Sequence, residues 1–272
     1  MINIDPFSVS SRYIELYFNE QFLSSATGFV IEHEGKPYLV TNLHCLSGRN
    51  IFTNKHLSKT LAEPNNVRFL AFEAGEMNCP KCHVEPLLDE EGRSLWLENP
   101  RQGCPIDIAA LECSIPLSDS FPINRIPQEK IQPRVSEGVF ILGFPAGLKA
   151  DITAIWKRGT VASEIGIPIN DLPAFLVDTT TTTGMSGSPV LFRSGQMQVG
   201  GVVIQSTEPF QKLIGIYSGR VPAINGVETS LGYVWPAYLV YETVQQKELG
   251  ESFWDPVIPN RQGEPPPGVE SW

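Results

Sequence analysis

The chain reads as short alternating apolar segments punctuated by turn residues, and long helical periods are absent before its last thirty-odd residues. Tyr13-Ile14-Glu15-Leu16-Tyr17-Phe18 alternates in the manner of a half-buried strand, and Gly28-Phe29-Val30-Ile31 follows. Glu34-Gly35 offers a hairpin turn before Pro37-Tyr38-Leu39-Val40, and Val67-Arg68-Phe69-Leu70-Ala71-Phe72 reads as another strand after a polar surface excursion over 47–61. A stretch rich in Pro, Ser and Gln over about 116–136 reads as a linker. Strands are expected beyond it near 138–144, 152–162, 174–180, 189–193, 198–205, 212–218 and 232–234. Thr179 to Thr183 is a β-branched run that suits extended backbone. A helix is expected over about 236–249, with Pro236 in its first turn and Gly250 as its stop. Such a pattern predicts an all-β barrel or sandwich. Residues 251–272, with Pro256, Pro259 and Pro265-Pro266-Pro267, read as a tail that Phe253, Trp254 and Trp272 could dock onto the body.

Three of these segments carry chemistry. In Gly184-Met185-Ser186-Gly187-Ser188-Pro189, one serine stands between two glycines and ahead of an apolar strand. A hydroxyl attacks only if a base takes its proton and donors receive the resulting oxyanion. Glycine lets the backbone turn its N–H groups toward one point, so Gly184 and Ser186 are candidate donors. The plainer reading of this stretch is a Gly/Ser turn between two strands. His44 is one of four histidines and lies in the strand-like run Tyr38 to Leu46, where a core histidine satisfied by backbone groups is the competing reading. Asp107 lies within Pro105 to Leu111, where a carboxylate must be paired or hydrogen-bonded.

These motifs resemble those of the trypsin-like (chymotrypsin-fold) serine proteases, especially the HtrA/Deg-like protease domains. The resemblance rests on Ala26-Thr27-Gly28-Phe29-Val30-Ile31, Val40-Thr41-Asn42-Leu43-His44-Cys45, Asp107-Ile108-Ala109-Ala110-Leu111 and Val139-Phe140-Ile141-Leu142-Gly143-Phe144-Pro145-Ala146-Gly147. It continues through the serine motif and Leu213-Ile214-Gly215-Ile216-Tyr217-Ser218-Gly219, and spans roughly residues 20–245. It implies two six-stranded β-barrels, about 10–115 and 137–235, closed by the C-terminal helix, so that a peptidase unit occupies 1–245. His44 and Asp107 would come from the first barrel and Ser186 from the second. Together they would hydrolyse peptide bonds through an acyl-enzyme, without a cofactor, on a protein or peptide substrate. The alternative is a non-catalytic binding or regulatory scaffold on the same barrels.

By the same resemblance, Thr180 would lie at the base of the substrate pocket. Ser218, Gly219 and Arg220 would line one wall, and Gly232 would leave the opposite wall open. No acidic residue stands at that base, so a preference for Lys or Arg is not expected. Arg220 would either favour an acidic side chain or sit as a solvated rim residue. Met185 replaces the Asp that secreted zymogen relatives use to bind a new N-terminus, so activation by that cleavage is not expected. Control would fall to loop ordering, oligomerisation or a regulatory partner of unknown kind.

The net charge of −10 and pI of about 4.9 argue against nucleic acid or an anionic membrane as the main partner. The first residues show no signal-peptide pattern, and five cysteines, an odd number, do not suggest a disulfide framework; a cytoplasmic location is the expectation. Cys79-Pro80-Lys81-Cys82-His83 in the segment 73–104 has the C-x-x-C spacing that points two thiolates at one ion from a turn. Cys79, Cys82 and Cys104, with His83 or Cys113 as a fourth ligand, could hold one structural zinc. Free thiols in an insert are the competing reading, and the haem-attachment reading of C-x-x-C-H is set aside for a cytosolic chain.

Overall fold

In a computed structural model, residues 4–73, 76–100, 105–149, 152–199, 201–223 and 226–250 are described. The first half contains β1 (Ser11–Phe18), β2 (Gln21–His33), β3 (Lys36–Thr41), β4 (Asn66–Glu73), β5 (Glu76–Pro86), β6 (Trp96–Glu98) and β7 (Ala109–Glu112). The second contains β8 (Gly138–Gly143), β9 (Ile155–Val161), β10 (Phe175–Asp178), β11 (Pro189–Val199), β12 (Val202–Arg220) and β13 (Leu231–Pro236). Among the described residues the α-helices are α1 (Leu43–Ser47) after β3, α2 (Leu117–Ser120) between the halves and α3 (Ala237–Gln246) after β13.

The second half is a closed six-stranded barrel in the order β10-β13-β12-β11-β8-β9, as expected. The first half is instead a seven-stranded sheet in the order β5-β4-β1-β2-β3-β7-β6. Its ends are drawn together at a corner, where Leu88 bridges Ser94 and the Leu95 amide donates to Leu87 O at 2.9 Å. The edge at β6 is covered by the chain after α3: Glu98 N donates to Glu248 O at 2.9 Å and Gly250 N to Trp96 O at 2.8 Å. An edge satisfied in this way offers no free ladder to another chain.

Each half carries an apolar core of inward-facing strand positions. Ile14, Leu16, Leu39, Val67 and Phe69 meet in the first half, and Val139, Ile141, Phe175, Val190 and Val234 in the second. A further cluster joins the two, with Phe29 and Val40 on one side and Leu142, Phe144, Leu213 and Trp235 on the other. α3 packs Leu239, Val240 and Val244 into it, which fixes how the two halves meet. The helix starts after Pro236 and ends at Gln246, where Lys247 turns left-handed (φ 54°); the stop is therefore earlier than Gly250.

Two segments differ from the sequence expectation in type. The strands expected at 198–205 and 212–218 do not stand apart: β12 runs unbroken from Val202 to Arg220 through both apolar runs, and β11 pairs with it as far as Val199 opposite Val202. Cys79 and Cys82 belong to β5 and not to a turn, and Cys82 pairs opposite Leu70. Extended backbone alternates its side chains between faces and does not point two thiolates at one ion as a C-x-x-C turn does. Cys82, Cys45 and Cys113 are free thiols, and no group of three or more His, Cys, Asp or Glu suited to a metal occurs among the described residues. The Cys79 side chain, Cys104 and the tail 251–272 lie outside the described residues. Among those described, no helix is long and apolar enough to cross a membrane.

Candidate active site

His44 and Asp107 both lie just beyond strand ends. β3 stops at Thr41, and Asn42 opens α1, which ends at Gly48 in the left-handed region (φ 67°). His44 is therefore in a short helix and not in the strand that its apolar neighbours suggested. β7 begins at Ala109, so Asp107 lies on the approach to it. Because β3 and β7 are paired, with Thr41 opposite Ala109, the two residues leave the sheet side by side. Asn42 Nδ2 reinforces this by donating to Asp107 O at 2.7 Å.

The Asp107 carboxylate is buried and multiply bonded. His44 N donates to its Oδ1 at 3.0 Å, and His44 Nδ1 lies 2.7 Å from its Oδ2. Ser218 Oγ donates to Oδ2 as well. A carboxylate acceptor at Nδ1 places the imidazole proton there, which leaves the lone pair on Nε2. Burial by itself would lower the imidazole pKa. The Asp107 charge, with Cys45 behind it, outweighs burial and holds His44 well above 6.5.

Ser186 reaches this pair through Ser218. Its Oγ donates to Ser218 O at 2.9 Å, while the side chain of Ser218 bonds Asp107. One residue of β12 thus contacts both the serine and the aspartate. The sequence reading put Ser218 on a pocket wall and missed this link. Its signal would have been a hydroxyl one residue beyond the apolar strand Leu213 to Tyr217. In this arrangement the Ser186 hydroxyl donates to the carbonyl and not to His44; free enzymes often tighten such contacts only with substrate bound.

The loop around Ser186 has every carbonyl from 183 to 186 occupied. Thr183 O accepts from Ala146 N at 2.7 Å, Met185 O from Ser188 N at 3.1 Å, Ser186 O from Thr27 N at 2.8 Å, and Gly184 O from Thr27 Oγ1 at 2.7 Å. A peptide unit is planar and trans, so fixing its carbonyl turns its N–H the opposite way. The Gly184 and Ser186 amides are aimed by the bonds to Thr183 O and Met185 O. Gly184 (φ 89°) and Gly187 (φ 82°) adopt backbone that a side chain would strain. A Cβ at Gly187 would also overlap Thr27 O and the Thr41 hydroxyl. Gly187→Ala is therefore expected to destabilise the protein by about 3 kcal/mol or more, since backbone cannot yield as a flexible side chain can; a midpoint shift in urea unfolding checks this.

The expected pocket residues are more scattered. Thr180 is exposed, Gly219 is partly exposed, and Arg220 is exposed with Glu228 Oε2 3.7 Å from its Nη1. Gly232 does not leave an open wall. A Cβ there would run into the Tyr217 ring, which fills the space between Gly232 and Thr181 and bonds the Thr181 hydroxyl. Burial pushes the Tyr217 phenol up to about 12, so it stays neutral. Met185 is fully buried in the second-half core beside Val190 and Tyr217.

A family model for the trypsin-like peptidase domain matches residues 26–200, which include His44, Asp107 and Ser186. The chain belongs to the trypsin-like peptidase family. It is accordingly a protease of the serine hydrolase class, acting on protein or peptide substrates. Among solved structures, the HtrA-type protease AlgW with tripeptide aligns with a TM-score of 0.50 at 14% identity, covering 88% of this chain and 60% of that one. The active form of the Rv3671c protease from M. tuberculosis aligns at 0.47, with 18% identity over 90% of this chain and 83% of that one. The serine endoprotease from Yersinia pestis aligns at 0.48, with 13% identity over 90% and 67%. No curated protein matches the chain.

Proposed function

We propose that this peptidase is an endopeptidase that cleaves through Ser186, His44 and Asp107 by way of an acyl-enzyme. The observation that supports this best is the buried connection His44–Asp107–Ser218–Ser186, which ties together three groups from distant parts of the chain. A scaffold without catalysis has no use for a buried carboxylate holding an imidazole in one tautomer beside a serine flanked by glycines.

The chemistry follows from the proton positions. His44 Nε2 takes the Ser186 proton as Oγ bonds to the scissile carbonyl carbon, whose oxygen becomes an anion. The Gly184 and Ser186 amides receive that charge; one such donor typically contributes ~2.7–4 kcal/mol to the transition state. The C–N bond then breaks, and the leaving amine takes the proton from His44. Water, deprotonated by the same imidazole, attacks the ester, and the Ser186 oxygen leaves as it takes that proton back from His44. Asp107 keeps the proton on Nδ1 throughout and stabilises the cation. No metal or cofactor enters these steps.

The test is labelling with a fluorophosphonate, which phosphonylates an activated serine. Labelling of the wild-type protein at Ser186, located by peptide mapping, is the expected result, and lack of reaction at that residue would count against the proposal.

The pH dependence has a definite direction. His44 must be neutral to act as base, and Asp107 favours its charged form. The acid limb of kcat/KM for the acylation step therefore lies above pH 6.5, with the rate falling about tenfold per pH unit below it. A limb centred below 6.5 in a pH series of peptide hydrolysis would contradict this reading, in which Asp107 and Cys45 together outweigh burial.

A further inference from the structure

Thr27 makes three contacts across the junction of the two halves, and no role in the reaction has been attached to it. It lies in β2 of the first sheet, fully buried, and faces the Ser186 loop of the second barrel. Its amide donates to Ser186 O at 2.8 Å, its hydroxyl donates to Gly184 O at 2.7 Å, and the same hydroxyl accepts from Phe144 N at 3.2 Å. Thr41 Oγ1 holds the Thr27 carbonyl at 2.8 Å, so the gripping residue is itself fixed. We infer that the Thr27 hydroxyl is a positioning residue for the oxyanion site, holding the Gly184–Ser186 backbone from the opposite half of the molecule.

The peptide planes show why. Oxyanion donation uses the amides of Gly184 and Ser186, in the planes 183–184 and 185–186. Thr27 grips the planes between and after them, at Gly184 O and Ser186 O. Without its hydroxyl, Gly184 O and Phe144 N are buried and lose this partner. Gly184 is free to rotate, because glycine has no Cβ to bar alternative φ values. The plane 184–185 can then turn, and its neighbours with it. A buried polar group left without a bond is costly, so the loop has a drive to rearrange. The junction also makes this grip conditional: Thr27 reaches the loop only while the two halves are docked.

Such a residue acts on the transition state more than on substrate binding. Misplacing catalytic groups by about 1 Å can cost on the order of 100-fold in rate. Thr27→Val keeps the shape and removes the hydroxyl, whereas Thr27→Ser keeps the hydroxyl and removes the methyl. The inference rests on the endopeptidase reading above, and the experiment separates the two. Hydrolysis of a fluorogenic peptide is measured for wild type and both variants, together with inhibition by a peptide aldehyde, which forms a tetrahedral adduct whose oxygen must occupy the oxyanion site.

The expected result is a kcat lowered about 10- to 100-fold in Thr27→Val with KM little changed, weaker aldehyde inhibition in proportion, and recovery of most of kcat in Thr27→Ser. Thermal unfolding of both variants shows whether the halves remain folded. If Thr27→Val folds and turns over at the wild-type rate, the positioning role is wrong and the endopeptidase reading stands. If Thr27→Val does not fold, Thr27→Ser decides: a folded serine variant that has lost kcat as heavily as a misplaced oxyanion site would excludes the hydroxyl as the positioning group, and one retaining kcat supports it. A wild-type protein that neither hydrolyses peptides nor labels at Ser186 overturns both.

Discussion

Ser186→Ala is expected to lower peptide hydrolysis by on the order of 10⁶ in kcat and to remove fluorophosphonate labelling, while the protein stays folded. The size of the loss follows from the nucleophile acting as a unit with its base, so that removing one member forfeits almost the whole contribution. The fold survives because the hydroxyl is only part-buried and makes one hydrogen bond, to Ser218 O, whose net worth is about 1 kcal/mol. Residual turnover above the uncatalysed rate is expected from the oxyanion donors alone. Circular dichroism and urea unfolding of the variant check that it stays folded, and peptide hydrolysis with active-site titration checks the loss of rate and labelling. A variant that still labels at the wild-type rate would show that another residue is the nucleophile.

Asp107→Asn is expected to give the other large effect, with kcat down by about 10⁴ at neutral pH. An amide at this position has one oxygen and one nitrogen where the carboxylate has two acceptors. At present both oxygens accept, from His44 N on one and from His44 Nδ1 and Ser218 Oγ on the other. If the amide oxygen keeps His44 N, its NH₂ faces Nδ1, the imidazole must offer a lone pair there, and its proton moves to Nε2. That tautomer cannot accept from Ser186. The negative charge that raises the His44 pKa is also lost, so the pH limb of the remaining activity moves down from its wild-type position. A pH–rate profile for Asp107→Asn that is unchanged in position would refute this account, even if the rate is low.

The two variants also differ in their effect on stability. Asp107 is almost wholly buried, and removing its charge leaves Ser218 Oγ and the His44 amide competing for one oxygen. Ser186→Ala leaves no such conflict. Asp107→Asn is therefore the less stable of the two, and comparing their unfolding midpoints separates a structural loss of rate from a chemical one.

Much of this protein is written locally. Alternation from Tyr13 to Phe18 and the apolar run Val190 to Phe192 fix strands, because a period of two puts one face toward a core whatever the partner is. Gly184, Ser186 and Gly187 could be picked out because left-handed backbone on either side of a candidate serine suits glycine. The order of His44, Asp107 and Ser186 along the chain carries the family resemblance. Pairing and end points are different. His44 looked like a strand residue, yet it and Asp107 both lie outside the strands, since the β3–β7 register and the Asn42 bond to Asp107 O decide where β3 ends and β7 begins. The C-x-x-C spacing suggested a turn, and β4 drew that segment into a strand by supplying a ladder. The seven-stranded first half depends on a corner at Leu87 to Leu95 and on residues 248–250 beyond α3 covering β6, the latter a contact between segments about 150 residues apart. Ser218 on Asp107, Tyr217 against Gly232 and Thr27 on the Ser186 loop all arise where the two halves or neighbouring strands meet. Sequence pattern specifies which residues can bury or donate; which of them face one another is set by packing two sheets together, and that is a property of the whole chain.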